Sequence, residues 1–259
     1  RTVAHKLRIH SITSTQAAKS GHPTSCASLA EIMTVLFFQQ MRLNLKHPRD
    51  PSSDRLVLSK GHAAPILYAT WAEAGLFPVE ELRNLRKVDS DLEGHPTPRL
   101  SFIDVGTGSL GQGTAVAAGM AYVGKYLDKA DYRTYVILSD GECAEGAVWE
   151  SLHFAGHYCL DNLCVIFDIN KLMCSDAGAE MEVYRERLDA FGFNALVLNG
   201  HDIDELVKGF HNAASTKGKP TALLARTVKG KDFVGIEGLD EMHGQPLGKR
   251  AEAVIKNLQ

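Results

Sequence analysis

Apolar positions recur at helical spacing in SLAEIMTVLFF (28–38) and PILYATWAEAGLF (65–77), which predicts helices there, separated by the polar, proline-rich KHPRDPSSD (46–54). The N-terminal RTVAHKLRIHSITS is amphipathic. From about residue 101 the pattern changes to short strand-like runs alternating with helices. The runs are SFIDV (101–105), YVILSD (135–140), NLCVIFDIN (162–170), NALVLNG (194–200) and TALLARTVKG (221–230). The intervening helices are TAVAAGMAYVGKYL (114–127), AEGAVWESLHFAGHY (144–158) and DIDELVKGFHNAA (202–214). This order predicts parallel β-α-β units, hence an α/β fold with a parallel β-sheet flanked by helices on both faces. No internal repeat or low-complexity linker interrupts it.

Composition narrows the function more than the fold. With 259 residues, 44% of them hydrophobic, the chain can bury a large core. A formal net charge of −3 creates no field for nucleic acid or an anionic membrane, so any bound anion must be held locally. No apolar run approaches the roughly 20 residues of a membrane span, and the N-terminus does not read as a signal peptide. Cys26, Cys143, Cys159, Cys164 and Cys174 are odd in number and lack C-x-x-C pairing. Reduced core cysteines in a cytoplasmic protein are therefore expected. His153, His157, Cys159 and Cys164 superficially resemble a zinc set, but Cys159 ends a predicted helix while Cys164 lies inside an apolar run.

Ligands of an open parallel sheet lie beyond the carboxyl ends of its strands. Asp140 and Asn170 close two successive runs with one helix between them, so adjacent parallel strands would bring them together. A carboxylate and an amide oxygen suit a hard cation such as Mg²⁺ that completes its shell with phosphate oxygens and water. Gly141 permits a sharp turn, and the next helix aims its N-terminal amides at the same place. An aspartate and an asparagine merely capping a helix and a turn fit the spacing equally well. GTGSLG (106–111) matches G-x-G-x-x-G, but Asp128 sits near the end of the following helix, not after a second strand where a ribose-binding acid belongs. Four loops, SGHPTS (His22), SKGHAAP (His62), EGHPTP (His95) and EMHGQP (His243), each set a histidine among small residues and turn formers. Singly, each is more often structural; together they call for one explanation. Lys60 and Lys229 would add positive charge around a diphosphate, although a solvated lysine is the usual case.

SGHPTS, LSKGHAAPILYA, TGSLGQG, SDGECAEGAVWE and DIN together resemble the thiamine-diphosphate-binding half of transketolase, in order and essentially end to end, with wording nearest the animal type. The resemblance implies that residues 1–259 form a single diphosphate-binding (PP) domain. It places a metal, Mg²⁺ with Ca²⁺ or Mn²⁺ as substitutes, on Asp140, Asn170 and the main-chain carbonyl of Leu172. Ser25, Lys60, His62, Gly141, Asn170 and Lys229 would surround the diphosphate and thiazolium, with Gly108, Ser109 and Leu110 lining the cofactor. His22, His95 and His243 would face the sugar, binding hydroxyls and moving protons. Glu145 and Glu150 match acidic positions at the interface between two active sites. Cleaving a ketose beside its carbonyl leaves a carbanion, for which thiamine diphosphate is the electron sink. The implied reaction carries a two-carbon ketol unit from a ketose phosphate to an aldose phosphate, in the pentose phosphate pathway.

Departures accompany the matches. SDG stands where the general motif has GDG, so Ser139 adds a side chain at a tight strand exit. Met173, Cys174 and Gln245 replace residues usual near the cofactor. The family's pyrimidine-binding and C-terminal domains, with an activating glutamate and most sugar-phosphate arginines, fall outside the 259 residues. The chain is expected to be silent unless a pyrimidine-binding domain is supplied in trans, as a homodimer or heterotetramer. Competing readings are a noncatalytic regulatory subunit, the matching domain of a dihydroxyacetone synthase or deoxyxylulose-phosphate synthase, and a dinucleotide-dependent dehydrogenase.

Overall fold

The computed structural model describes residues 2–170 and 177–259; Leu172, Met173 and Cys174 lie outside them. The helices are α1 (Thr2–Ala18), α2 (Pro23–Ala27), α3 (Ala30–Val35), α4 (Ala64–Glu73), α5 (Gln112–Tyr122), α6 (Gly146–His157), α7 (Ala177–Ala190), α8 (Ile203–Ser215) and α9 (Ala251–Leu258). The strands are β1 (Arg55–Leu58), β2 (Thr134–Ser139), β3 (Leu163–Ile169), β4 (Asn194–Asn199) and β5 (Thr221–Arg226). Among the described residues they form one parallel sheet in the order β1-β2-β3-β5-β4.

β2 and β3 are buried along their whole length, which is why they read as continuous apolar runs. Alternate residues point to opposite faces. Tyr135, Ile137, Cys164, Ile166, Leu223 and Ala225 pack with Leu7, Ile66 and Phe210 of α1, α4 and α8. Val136, Leu138, Val165, Phe167 and Leu224 pack with Ala117, Leu152 and Leu188 of α5, α6 and α7. Both faces are therefore covered, as the sequence pattern predicts. Asp202 starts α8 by accepting from Asp204 N at 2.9 Å and Glu205 N at 3.1 Å. No helix among the described residues is long and apolar enough to cross a membrane.

One expected strand is absent and another takes its place. SFIDV forms turns: Ile103 N donates to Leu100 O at 3.1 Å, and Arg49 donates to the carbonyls of Pro98 (2.7 Å), Leu100 (3.4 Å) and Ile103 (3.4 Å). A guanidinium thus gathers the carbonyls leading into this run and that of Ile103 within it, an acceptor that a strand would have offered to a neighbour. Phe102 is used as packing, its ring centroid 5.2 Å from that of Trp71 and 5.6 Å from that of Phe77. The sheet edge is RLVL of β1, pairing Arg55 with Thr134 and Leu58 with Ile137. It directly precedes the SKGHAAP loop, so β1 is what aims Lys60 and His62.

Candidate functional site

The carboxyl ends of β1, β2 and β3 open on a cavity of about 380 Å³. It is lined by Ser25, Lys60, His62, Leu110, Ser139, Asp140, Gly141, Glu145, Asn170, Lys229 and His243, all singled out in the sequence, and also by Ala144. The parallel pairing of β2 with β3 sets Ser139 beside Asp168, so the residues that follow each strand meet. Asp140 accepts from Gly141 N at 2.8 Å and from Asn170 N at 3.1 Å. Burial and then the nearby Asp168 raise its carboxyl above the usual range, an environment that a bound cation would reverse. Asn170 Nδ2 donates to Asp168 Oδ2 at 3.3 Å, which turns the amide oxygen away from that carboxylate. No group of three or more His, Cys, Asp or Glu among the described residues forms a metal cluster. A cation at Asp140 must therefore draw on amide, main-chain, phosphate or water oxygens, the donor set that suits Mg²⁺.

Two lysines line this cavity. Lys60, 1% exposed, donates to Asp168 Oδ2 at 2.5 Å and to Ser25 O at 3.3 Å. Burial alone would raise the Asp168 carboxyl, but Lys60, Thr227 and Ser28 together pull it below its usual range. Lys229 donates to His243 Nδ1; burial and the neighbouring Lys60 lower its ammonium to about 8. An anion between the two lysines would relieve exactly that repulsion in kind, so the charge pattern fits a diphosphate.

The histidine loops converge. The ring of His22 lies 4.8 Å from that of His62 and 5.2 Å from that of His243, and His62 lies 6.0 Å from His243. His95 joins them through the glycine-rich loop: a Cβ added to Gly108 would stand 2.9 Å from its Cδ2. Tyr68 fixes the His95 main chain by donating to its carbonyl at 3.0 Å. Burial, then neighbouring positive groups, lowers His22 to about 4 and His62 to about 2. Partial desolvation also lowers the more exposed His95 and His243, so the cluster is neutral near pH 7. His22 Nδ1 is buried without a hydrogen-bond partner among the described residues. Such a cluster offers donors and acceptors to a polyhydroxylated ligand without adding charge.

Gly108 and Ser109 share the loop of Leu110 but, like His22 and His95, are not part of the cavity lining. Glu150 is exposed on α6, whereas Glu145 reaches the cavity. Ser139 carries its side chain without strain, at φ −99°, and its hydroxyl caps the turn after β2 in a reciprocal pair with Glu142. Gln245 is exposed. GTGSLG follows turns, not a strand, so a dinucleotide fingerprint lacks the β-turn-α context it needs. The supposed zinc set does not converge: Cys164 is enclosed in β3, Cys159 is exposed, and His153 packs on Phe191.

Sequence reasoning missed Asp168 and Glu142. Asp168 is fully buried and also accepts from Thr227 Oγ1 at 2.5 Å and Ser28 Oγ at 2.8 Å. Its signal was a charge inside the apolar LCVIFDI. Glu142 accepts from Ser59 Oγ at 2.6 Å, Gly111 N at 2.9 Å and Ser139 N at 3.1 Å, tying together the ends of β1 and β2 and the glycine-rich loop.

The profile of the family described as "Transketolase, thiamine diphosphate binding domain" matches residues 1–258. The chain is 56% identical to a transketolase of Rattus norvegicus and 55% identical to a transketolase-like protein 2 of Mus musculus, each over 262 aligned positions. Those alignments cover 100% and 99% of this chain but 42% of each relative. The structure matches transketolase from Leishmania mexicana with a TM-score of 0.89 at 31% identity, covering 99% of this chain and 40% of that one. It matches transketolase from Campylobacter jejuni with a TM-score of 0.88 at 35% identity, covering 98% and 41%. The chain thus spans under half the length of these relatives, and with its neutral histidine cluster above a carboxylate, an amide and two lysines it belongs to the thiamine diphosphate binding domain family of transketolase.

Proposed function

We propose that residues 1–259 act as one PP domain, the metal- and cofactor-holding part of a transketolase that moves a two-carbon ketol unit from a ketose phosphate to an aldose phosphate. The observation that carries this reading is the packing of the His22, His62 and His243 rings on one another at a cavity that His62 and His243 line together with Asp140, Asn170, Lys60 and Lys229, with His95 set against the glycine-rich loop at Gly108. Asp140 and the Asn170 amide, with the Leu172 carbonyl, would hold Mg²⁺, or Ca²⁺ or Mn²⁺ in its place. Lys60 and Lys229 balance the diphosphate, beside Ser25, His62 and Gly141, while Gly108, Ser109 and Leu110 border the ring. Thiamine diphosphate, when bound, supplies the electron sink for carbon–carbon cleavage. His22, His95 and His243, held neutral, donate to and accept from sugar hydroxyls and pass protons between them.

A pyrimidine-binding domain contributed in trans completes the reading, within a homodimer or heterotetramer in which Glu145 and Glu150 approach the second site. In support, Leu110 and Glu145 are exposed at the cavity itself, the face that such a partner would cover. Calorimetric titration of thiamine diphosphate with Mg²⁺ into the chain and into Asp140→Ala tests the site. Metal-dependent heat lost in the variant is expected, with ketol transfer appearing only when a pyrimidine-binding partner is added. Equal heat in both proteins, or no activity with any such partner, rejects it.

A further inference from the structure

The loop that carries Lys229 is held from outside the cofactor cavity. His201 sits in the turn between β4 and α8. Its Nε2 accepts from Val228 N at 2.9 Å, and its Nδ1 lies 2.9 Å from Glu31 Oε2. A neutral imidazole has one donor and one acceptor. Because the Val228 N–H needs a lone pair at Nε2, the proton sits on Nδ1 and is donated to Glu31. Glu31 is itself locked by Arg8, whose two terminal nitrogens donate to Oε1 and Oε2 at 2.7 Å each, and Arg8 is 0% exposed. Arg8 also reaches Asp232 at 3.2 Å, on the far side of Lys229. The segment is gripped at successive points: Thr227 by Asp168, Val228 by His201, Gly230 by the Thr24 carbonyl, Asp232 by Arg8.

We infer that His201 is a positioning residue for Lys229, a tautomer-locked imidazole that fixes the main chain one residue before the lysine. The inference rests on the reading of the cavity as a diphosphate site. A rigid ring with a donor at one end and an acceptor at the other is what a carboxylate and a main-chain N–H on opposite sides require. Glu31 and Arg8 set the tautomer; the tautomer sets the loop. Lys229 is thereby held beside His243 in the cavity that Lys60 also lines, and a loop shift of about an ångström would cost much of its effect on a bound anion.

Amide hydrogen exchange of the intact chain reads this directly, without cofactor. In His201→Ala and His201→Asn, exchange at Val228 is expected to rise about tenfold or more while the β5 amides stay protected. His201→Gln, whose amide oxygen can reach the place of Nε2, restores protection; Asn, reaching only as far as Nδ1, does not. Thiamine diphosphate affinity with Mg²⁺ is expected to fall about tenfold in His201→Ala and to fall no further when His201→Ala is added to Lys229→Ala. Unchanged exchange at Val228, or a rise spread equally over β5 and α8, overturns the inference. So does an affinity lowered by Lys229→Ala but not by His201→Ala. An affinity untouched by Lys229→Ala is a separate failure, of the cofactor reading, and the exchange data then decide the placement of the loop by themselves.

Discussion

A buried carboxylate persists only when its lone pairs are met, and Glu142 shows what that means for one residue. It is 0% exposed and takes hydrogen bonds from a hydroxyl and two main-chain N–H groups on three different segments. Glu142→Ala strands those donors in the interior, each at a cost of about 1–3 kcal/mol, so a loss of stability on the order of 3 kcal/mol or more is expected in urea denaturation. Glu142→Gln keeps one oxygen acceptor and should lose less. A Glu142→Ala protein within about 1 kcal/mol of the parent would show that the three segments hold their places without it. Lys60 and Asp168 follow the same logic as an ion pair: the serine, threonine and asparagine around Asp168 supply the remaining bonds that make it tolerable.

Between elements, close backbone approach decides where side chains are forbidden. Gly156 lies within α6, where glycine to alanine would ordinarily stabilise a helix by up to about 1 kcal/mol. Here a Cβ would stand 1.8 Å from the carbonyl oxygen of Phe191, in the chain that leaves α7. Main chain cannot swing away as a side-chain tip can. Gly156→Ala is therefore expected to reverse the usual sign and destabilise by roughly 1–3 kcal/mol, with α6 and α7 forced apart. A thermal midpoint at or above that of the parent would mean that this contact relaxes freely. The effect would reach the site through β3, since α6 enters it and α7 follows Asn170.

At the scale of the molecule, protonation links the histidine cluster to stability. His22 and His62 have folded-state values of about 4 and about 2, below the 6.5 of a free histidine. The unfolded chain therefore binds protons that the fold refuses: their contribution to stability is full above pH 6.5 and falls as the pH drops toward each folded value. By pH 5 the loss is on the order of 2 kcal/mol per histidine. Glu31 adds a second, more acidic window. Burial would raise it, but hydrogen bonds from His201 and Arg8 hold it near 2, so its contribution is lost as the pH falls from 4.5 toward that value. Urea midpoints should decline from pH 7 to 5 and flatten in His62→Asn; a parent midpoint constant across that range would contradict the burial of neutral imidazoles.

The sequence by itself determined whatever rests on local periodicity or on groups adjacent in the chain. The buried strands β2 and β3, the α5, α6 and α8 helices and the meeting of Asp140 with Asn170 follow from apolar runs and one crossover. The histidine loops were legible as a set because each sits among turn formers. What distant segments contribute was decided only by tertiary structure. SFIDV has a strand's composition, yet it turns, with Ile103 N bonded to Leu100 O and the Ile103 carbonyl facing Arg49; RLVL is shorter, yet becomes an edge strand because β2 offers it a ladder. Ser139 looked like an intrusion at a tight exit until Glu142 gave its hydroxyl a capping role. The network from Arg8 through Glu31 and His201 to Val228 joins residues more than two hundred positions apart. No pattern along the chain encodes such a path, because hydrogen bonds between charged and polar groups depend on three-dimensional distance and burial, which the fold alone supplies.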